Sequence, residues 1–412
     1  MQDSFTTRLS SRTAKLTSSA IRDILKVATQ SHITSFAGGL PAPELFPVEA
    51  LRAAADRVLV NDAKRALQYG ATDGLAELRE QIAADVSSAE AAACAAAGLA
   101  APDPVDPDQV LVTTGSQQAL DLICKLLIDP GDRLATENPS YLGALQAFRL
   151  FQPTFLTVEM DEDGALPASL ELALGQGTKF AYLLPSFQNP TGRSMTVARR
   201  LAVMEVVKRS GTPLVEDDPY GALYFDKPCG PSLRSLAPEQ TIALGTFSKT
   251  MAPGLRLGWA ISPKEVHARL VQIKQSADLH TATLSQHVAL ELIRSGVMPA
   301  HLDLLRSVYA ERCQAMLAAL AAEFPPEVRF TRPAGGMFVW LELPAGVDAS
   351  PLLHAAIEQE QVAFVPGGTF HPNGGGRNTM RLNFTHTSPE KIRDGVARLA
   401  KVVRRELAAT PA

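Results

Sequence analysis

From residue 109 onward, short apolar runs alternate with longer stretches whose apolar positions recur every three or four residues. QVLVTT (109–114) reads as a strand, and SQQALDLICKLLI (116–128) as a helix with Leu120, Ile123, Cys124 and Leu127 on one face. RLATE (133–137) is a second strand, with a helix starting near 140. KFAYLLP (179–185) and PLVEDD (213–218) are strands separated by a helix over about 196–210. TIALGTFS (241–248) and LGWAISP (257–263) are further strands. Such alternation predicts an α/β core: a largely parallel central sheet with helices on both faces.

The flanks read differently. Residues 17–28 predict a short helix, capped by Ser18 or Ser19, with Ile21, Ile24, Leu25 and Val27 on its apolar side. SFAGGLPAPELFP (35–47) has three prolines and two glycines and predicts an irregular connection. Helices follow at 48–60 and 74–87. The Ala- and Pro-rich stretch 88–108 reads as a surface excursion without chemistry, its alanines able to extend the preceding helix until the Pro-Asp pairs stop it. After the α/β core come helices near 264–276 and 283–325. Strands at 335–343 and 379–384 then mix with helices at 349–360 and 388–406, which predicts a smaller α+β domain. The expected organisation is an arm and helix (1–47) contributing to the small domain, a large domain (48–295) and a C-terminal small domain (296–412).

Length supports two domains, because 412 residues exceed the roughly 250–300 at which single cores stop growing. The hydrophobic fraction of 46% and charged fraction of 20% exclude a disordered chain. The net charge of −4 leaves no basic field, which argues against nucleic acid as a partner. Cys94, Cys124, Cys229 and Cys313 form no CxxC pair, and scattered thiols fit a cytoplasmic protein without a disulfide scaffold. No apolar run is long enough to span a membrane, and the polar start MQDSFTTRLSSRTAK reads as a mobile arm, not a secretory signal. The eight histidines show no metal-ligand spacing, so no metal is expected.

Candidate chemistry gathers where strands end, the place where open α/β sheets bind ligands. In GTFSKTMAPGLRLGW (245–259), Lys249 follows a hydrophobic strand, and a lysine whose pKa is lowered by burial can form a Schiff base. Thr246, Ser248 and Arg256 add hydroxyls and a permanent charge suited to a phosphate, although a surface turn explains the segment equally well when it is taken alone. TTGSQQAL (113–120) places Ser116 at a helix start, where free N–H groups form an anion site or merely a capped end. PSFQNPTG (185–192) is a turn that would carry Asn189 to the top of the sheet. VEDDPYGALYF (215–225) ends a strand in Asp217, whose carboxylate needs a cationic partner if buried; a solvated acid suits Asp218 better. The glycines in HPNGGG (371–376) lack the lysine and helix of a phosphate loop.

Together these segments resemble the pyridoxal-phosphate-dependent aminotransferases of fold type I, class I/II, over about residues 20–405. The resemblance implies a Schiff base at Lys249, and phosphate contacts from Thr246, Ser248, Arg256, Ser116 and Gln117. It implies that Asp217 pairs with the ring nitrogen, that Tyr220 and Asn189 hold the ring oxygen, and that Tyr141 stacks on the ring. Tyr69 would reach the phosphate of a neighbouring subunit, making the protein a homodimer, and Arg381 would clamp the substrate carboxylate. Thr246 stands where serine is usual and Pro219 lies inside the acid-to-tyrosine segment; threonine keeps the hydroxyl.

The 2-aminoadipate (kynurenine/aminoadipate) subgroup is the most similar, on SFAGGLPAPELFP, LQYGATDGLAELR, KQSADLHT, RPAGGMFVW and VAFVPGGTF. In that subgroup an N-terminal arginine meets a distal carboxylate, a position matched by Arg22; local pairing with Asp23 is the alternative. The Gly-Gly pairs at 38–39 and 367–368 are expected to line the substrate site, with Gly39 foremost. The implied reaction moves an amino group from an L-amino acid (2-aminoadipate, or an aromatic or branched-chain donor) to a 2-oxo acid, 2-oxoglutarate being the expected acceptor. A fold-type-I lyase, such as a carbon–sulfur lyase, would use Lys249 and Arg381 equally well. A regulator carrying an aminotransferase-like domain is disfavoured by the short stretch before the first matched helix.

Overall fold

Seven strands build the central sheet: β1 (Val110–Thr113), β2 (Arg133–Glu137), β3 (Thr154–Val158), β4 (Thr178–Leu183), β5 (Leu214–Asp217), β6 (Thr241–Thr246) and β7 (Gly258–Ile261). They come from a computed structural model that describes residues 8–13 and 32–409. The spatial order is β1-β7-β6-β5-β4-β2-β3. Neighbours from β6 to β3 are parallel, and β7 alone runs antiparallel to both β6 and β1.

Side chains alternate between two buried layers, as the period of two in a strand requires. Leu134, Phe180, Tyr182 and Val215 face a core shared with Leu120, Ile123 and Phe148 of the helices Ser116–Leu127 and Leu142–Arg149. Ala135, Ala181, Leu183 and Leu214 face the opposite core, with Leu170 and Val203 of the helices Pro167–Leu174 and Val197–Ser210. Burial on both faces explains why these strands read as continuous apolar runs.

The antiparallel strand has a consequence for the site. Gly258, its first residue, pairs with Thr113 and with Thr246, the last residues of β1 and β6. The start of β7 therefore lies at the same sheet edge as the ends of its neighbours, and Arg256 is delivered there.

Beyond the large sheet, Arg329–Phe330, Phe338–Glu342, Thr379–Asn383 and Val365–Pro366 form a four-stranded antiparallel sheet in that order. Thr34–Ser35 pairs in parallel with Val362–Ala363. Phe36 and Ala37 join the core of this region with Tyr309, Met316, Val339, Leu382 and Leu399. The segment 33–42 thus packs with the C-terminal portion.

Several expectations need correction. The single helix over 283–325 is two, Thr283–Arg294 and Met298–Glu323, because Gly296 adopts φ +74° between them. The 74–87 helix runs to Ala96, and residues 88–96 are no mere surface excursion: Glu90 and Cys94 are buried, and Glu90 forms an ion pair with Arg234. The edge strand β3 and the helix Pro167–Leu174 were not expected. The helix expected over 17–28, with Arg22, lies outside the described residues.

Candidate active site

The carboxyl ends of β1, β4, β5 and β6 and the segment leading into β7 surround a cavity of about 400 Å³. Its walls include Gly39, Ser116, Gln117, Tyr141, Asn189, Asp217, Tyr220, Thr246, Ser248, Lys249, Arg256 and Arg381. Apart from the expected glycine pairs, of which only Gly39 lines the cavity, the structure brings together all but two of the site residues singled out from the sequence, drawn from segments up to 342 positions apart. One exception is Arg22, which lies outside the described residues. The other is Tyr69, which is 78% exposed and meets His280 edge-on at 5.7 Å, outside the cavity wall. Gly39 lines the cavity, whereas Gly367 and Gly368 do not; Gly367 packs against Thr379 and Trp340 instead.

One end of the cavity is shaped for an anion. The helix Ser116–Leu127 brings its N-terminal end to the cavity wall, and Gly115 enters that helix at φ +72°. A side chain at Gly115 would come within 2.7 Å of the Arg256 guanidinium, so the glycine lets the cation close on the turn. The Thr246 hydroxyl donates to the Leu257 carbonyl at 3.1 Å and accepts from the Ser248 amide at 3.1 Å. This fixes the turn after β6 that presents Ser248 and Lys249.

Asp217, the last residue of β5, marks the other end. It is 2% exposed. Tyr182 donates to its Oδ2 at 2.6 Å, and Oδ1 has no partner among the described residues. Burial pushes the carboxyl pKa up to about 7, against the pull of the Tyr182 hydrogen bond; nearby Asp218 adds to the rise. A buried carboxylate with one oxygen unsatisfied calls for a cationic donor. A protonated ring nitrogen meets that need, and the phosphate-sized anion site at the far end meets the other half of pyridoxal phosphate. The residues present therefore fit this cofactor.

Lys249 stands between the two ends. Its ammonium donates to the Gly39 carbonyl at 2.8 Å. Burial, reinforced by Arg381 and Arg256, lowers its pKa to about 8. Such an amine is available as a nucleophile or base near neutral pH.

The opposite wall comes from the small sheet. Arg381, on the strand Thr379–Asn383, donates to Asn189 Oδ1 at 2.9 Å and to the Ala37 carbonyl at 3.0 Å. Its guanidinium lies 4.2 Å from the Phe338 ring centroid and 4.9 Å from that of Phe370. Burial lowers its pKa to about 10, opposed by Tyr220 and Tyr141. It stays a cation, with its Nε unpartnered among the described residues. Asn189 also donates to the Tyr220 hydroxyl at 3.2 Å. Arg381, Asn189 and Tyr220 therefore form one hydrogen-bonded chain across the cavity.

Sequence reading missed Tyr182, Phe338 and Phe370. Tyr182 was legible in principle: it pairs with Val215, two residues before Asp217 on the same face, so strand register alone makes it a neighbour. Phe338 and Phe370 carry no local signal, since their role depends on Arg381 passing between them.

The family model "aminotransferase class I and II" matches residues 37–399. A 2-aminoadipate transaminase of Thermus thermophilus is 46% identical over 399 residues, covering 96% of each chain. An aromatic-amino-acid aminotransferase of Thermococcus litoralis is 40% identical over 396 residues, covering 94% of this chain and 92% of its own. Among solved structures, the α-aminoadipate aminotransferase LysN of Thermus thermophilus, complexed with N-(5'-phosphopyridoxyl)-L-leucine, superposes with a TM-score of 0.88 at 44% identity. That match covers 99% of this chain and all of the other. On this agreement of fold, site chemistry and full-length relatives, the chain belongs to the class I and II aminotransferases and is a pyridoxal-phosphate-dependent transaminase.

Proposed function

We propose that this transaminase moves the amino group of an L-amino acid, either 2-aminoadipate or a broader aromatic and branched-chain set, to 2-oxoglutarate. The observation that carries the reading is the position of Lys249. An amine with its pKa near 8 sits between a buried, half-satisfied carboxyl and a buried arginine. The 2-aminoadipate transaminase and the aromatic-amino-acid aminotransferase among the relatives support the two donor classes.

Pyridoxal phosphate, when bound, supplies the electron sink that makes an amino acid's Cα acidic. In our reading Asp217 Oδ1 accepts from the protonated ring nitrogen, and Tyr182 holds Asp217 in the ionised form. Asn189 and Tyr220, already hydrogen-bonded to each other, would hold the ring oxygen, and Tyr141 in the cavity wall would flank the ring. Thr246, Ser248, Arg256 and the amides of Ser116 and Gln117 take the phosphate. Arg381 binds the carboxylate of every substrate through its guanidinium edge, and the two phenylalanines hold that group in plane. Lys249 Nζ is the point of cofactor attachment. As a free amine it would hold and move the proton of the substrate Cα. Gly39, whose carbonyl accepts from Lys249, keeps the amine aimed into the cavity.

Two further assignments belong to the same proposal. Exposed Tyr69 completes the site of a second copy, so the working unit is a homodimer. Arg22 meets the distal carboxylate of dicarboxylic donors.

The deciding experiment is a donor screen of the cofactor-loaded protein with 2-oxoglutarate, reading glutamate. A wide lead for 2-aminoadipate in kcat/KM supports the dicarboxylate assignment, and Arg22→Ala should then weaken dicarboxylic donors more than aromatic ones. A lead for aromatic or leucine-like donors removes Arg22 from recognition. Glutamate from no donor would overturn the proposed reaction.

A further inference from the structure

Behind the anion-binding corner lies a polar cluster that touches nothing in the cavity. Lys274, in the helix Lys264–Ala277, has a side chain with no exposure at all. Its ammonium donates to both oxygens of Asp278, at 2.7 and 2.9 Å, and to Gln118 Oε1 at 2.9 Å. Gln118 returns a hydrogen bond from Nε2 to Asp278 Oδ2 at 2.6 Å. The Thr114 hydroxyl donates to the same oxygen at 3.2 Å, and the Thr114 amide donates to Gln118 Oε1 at 2.8 Å. Lys274 thus has three donor contacts, and both acceptor groups of the cluster are shared by several donors.

The placement gives the cluster its significance. Thr114 and Gln118 bracket Gly115, Ser116 and Gln117, the residues of the corner that face the cavity. Thr114 is held at its amide and its hydroxyl, and Gln118 at both ends of its side-chain amide. A helix start carrying a left-handed Gly115 has few internal restraints, because the first N–H groups of a helix lack intrahelical partners. Burying a lysine is costly unless it is paired and hydrogen-bonded, and here the expense falls on the outer side of the turn that aims those N–H groups. Burial pushes Asp278 up, but the hydrogen bonds from Lys274, Gln118 and Thr114 hold it below its ordinary value, so it remains an anion opposite Lys274.

We propose that Lys274, Asp278 and Gln118 are positioning residues that set the affinity for the cofactor's phosphate by locking the Thr114–Gln117 corner. The proposal rests on the reading that this corner, with Arg256, holds the phosphate. The cluster supplies geometry, not contact: it fixes where the Ser116 and Gln117 amides point. Preorganised donors bind a phosphate more tightly than donors that must be ordered on binding.

The test compares two ligands on the full-length protein, pyridoxal phosphate and pyridoxal, which differ by the phosphate alone. The paired variant Lys274→Met with Asp278→Asn removes both charges of the ion pair together. Gln118→Met is the second variant; it keeps the ion pair and removes only the bridging amide. Each should weaken pyridoxal phosphate on the order of tenfold while leaving pyridoxal unchanged. The bound phosphate's phosphorus resonance should shift in the same variants. An unchanged preference for the phosphorylated ligand in Gln118→Met overturns the proposal, as does equal weakening of both ligands. Arg256→Gln separates this from the underlying reading. If Arg256→Gln abolishes the preference and Gln118→Met does not, only the cluster's role fails. If Arg256→Gln leaves the preference intact, the phosphate lies elsewhere and both fail.

Discussion

Tyr182 donates a 2.6 Å hydrogen bond to one oxygen of Asp217 and leaves the other without a partner among the described residues, in a cavity whose far end is shaped for an anion. The relationship is set by sheet register: Tyr182 pairs with Val215, and Asp217 lies two residues further on the same face. The tyrosine opposes the upward pull of burial on the Asp217 pKa. It therefore helps, against burial, to set the pH range over which the carboxyl is an anion.

Tyr182→Phe should move that range. Asp217 in the cofactor-free protein titrates near pH 7, being neutral below and ionised above. Cofactor affinity should fall as pH drops through that value, because a neutral acid pairs poorly with a protonated ring nitrogen. Loss of the hydroxyl raises the pKa, so the acidic limb of affinity against pH should shift to higher pH in Tyr182→Phe. Well above the new pKa, the two proteins should converge. Spectroscopic titration of pyridoxal phosphate binding between pH 5.5 and 9, chosen to span roughly two units about the Asp217 value, reads this directly. Superimposable curves would remove Tyr182 from the control of Asp217.

The glycine at the head of β7 offers a second test. A methyl group at Gly258 would lie 2.7 Å from the Ser116 amide nitrogen, 2.8 Å from the Gly115 carbonyl carbon and 2.9 Å from the Gly245 carbonyl oxygen. All three are backbone atoms, so no side chain can swing away. Gly258→Ala should push the anion-binding corner off β7 and lower cofactor affinity by about tenfold or more, with a loss of stability typical of overpacking, about 1–3 kcal/mol. Gly254→Ala is the control, since no atom of the described residues lies within 4 Å of its added methyl. Equal behaviour of the two variants in cofactor binding and thermal unfolding would show that the corner has room.

How much of this was legible beforehand follows from how local each signal is. Lys249, Asp217 and Ser116 sit at strand ends or helix starts, and a strand end announces itself where an apolar run stops at a polar residue. The large sheet was legible for the same reason. The Arg381 environment was not: its partners Asn189 and Ala37 are 192 and 344 positions away, and Phe338 and Phe370 are ordinary core residues until the arginine lies between them. The Lys274 cluster was hidden because a lysine on an amphipathic helix reads as solvated, and only tertiary packing buries this one. The edge strand β3 failed to register because three of its five residues are only half-buried and one is exposed.

Glu90 shows the same limit in an alanine-rich helix. Its carboxylate pairs with the Arg234 guanidinium, with side-chain exposures of 6% and 4%, and also accepts from the Ser232 hydroxyl at 2.6 Å. Arg234 and Leu233 donate their backbone amides to Glu216, next to Asp217. Removing one partner of a buried pair strands the other charge. Glu90→Ala should cost about 3–5 kcal/mol in chemical denaturation. Glu90→Ala with Arg234→Met should recover most of that loss, as replacing both charges often does. A cost below about 1 kcal/mol for Glu90→Ala would mean that water reaches Arg234 and replaces the carboxylate.

Arg381 and Lys249 are coupled, and the coupling has a measurable sign. Burial lowers the lysine pKa first, and the neighbouring cations Arg381 and Arg256 lower it further, to about 8. Below that value Lys249 is an ammonium; above it the amine is free to attack. Arg381→Gln removes one of those cations and should move the midpoint up, so that less free amine exists at pH 7.5 than in the unaltered protein. Arg381→Lys keeps a cation and should leave the midpoint nearly in place, although it loses the planar carboxylate contact. The readout is the rate at which Lys249 in the cofactor-free protein is acylated, followed peptide by peptide across pH. Both variants should lower kcat/KM on the order of a hundredfold, because the clamp on the substrate carboxylate is gone in each. Only Arg381→Gln should displace the acylation midpoint. If neither variant displaces it, burial alone tunes Lys249, and the arginine serves the substrate without touching the basicity of the amine.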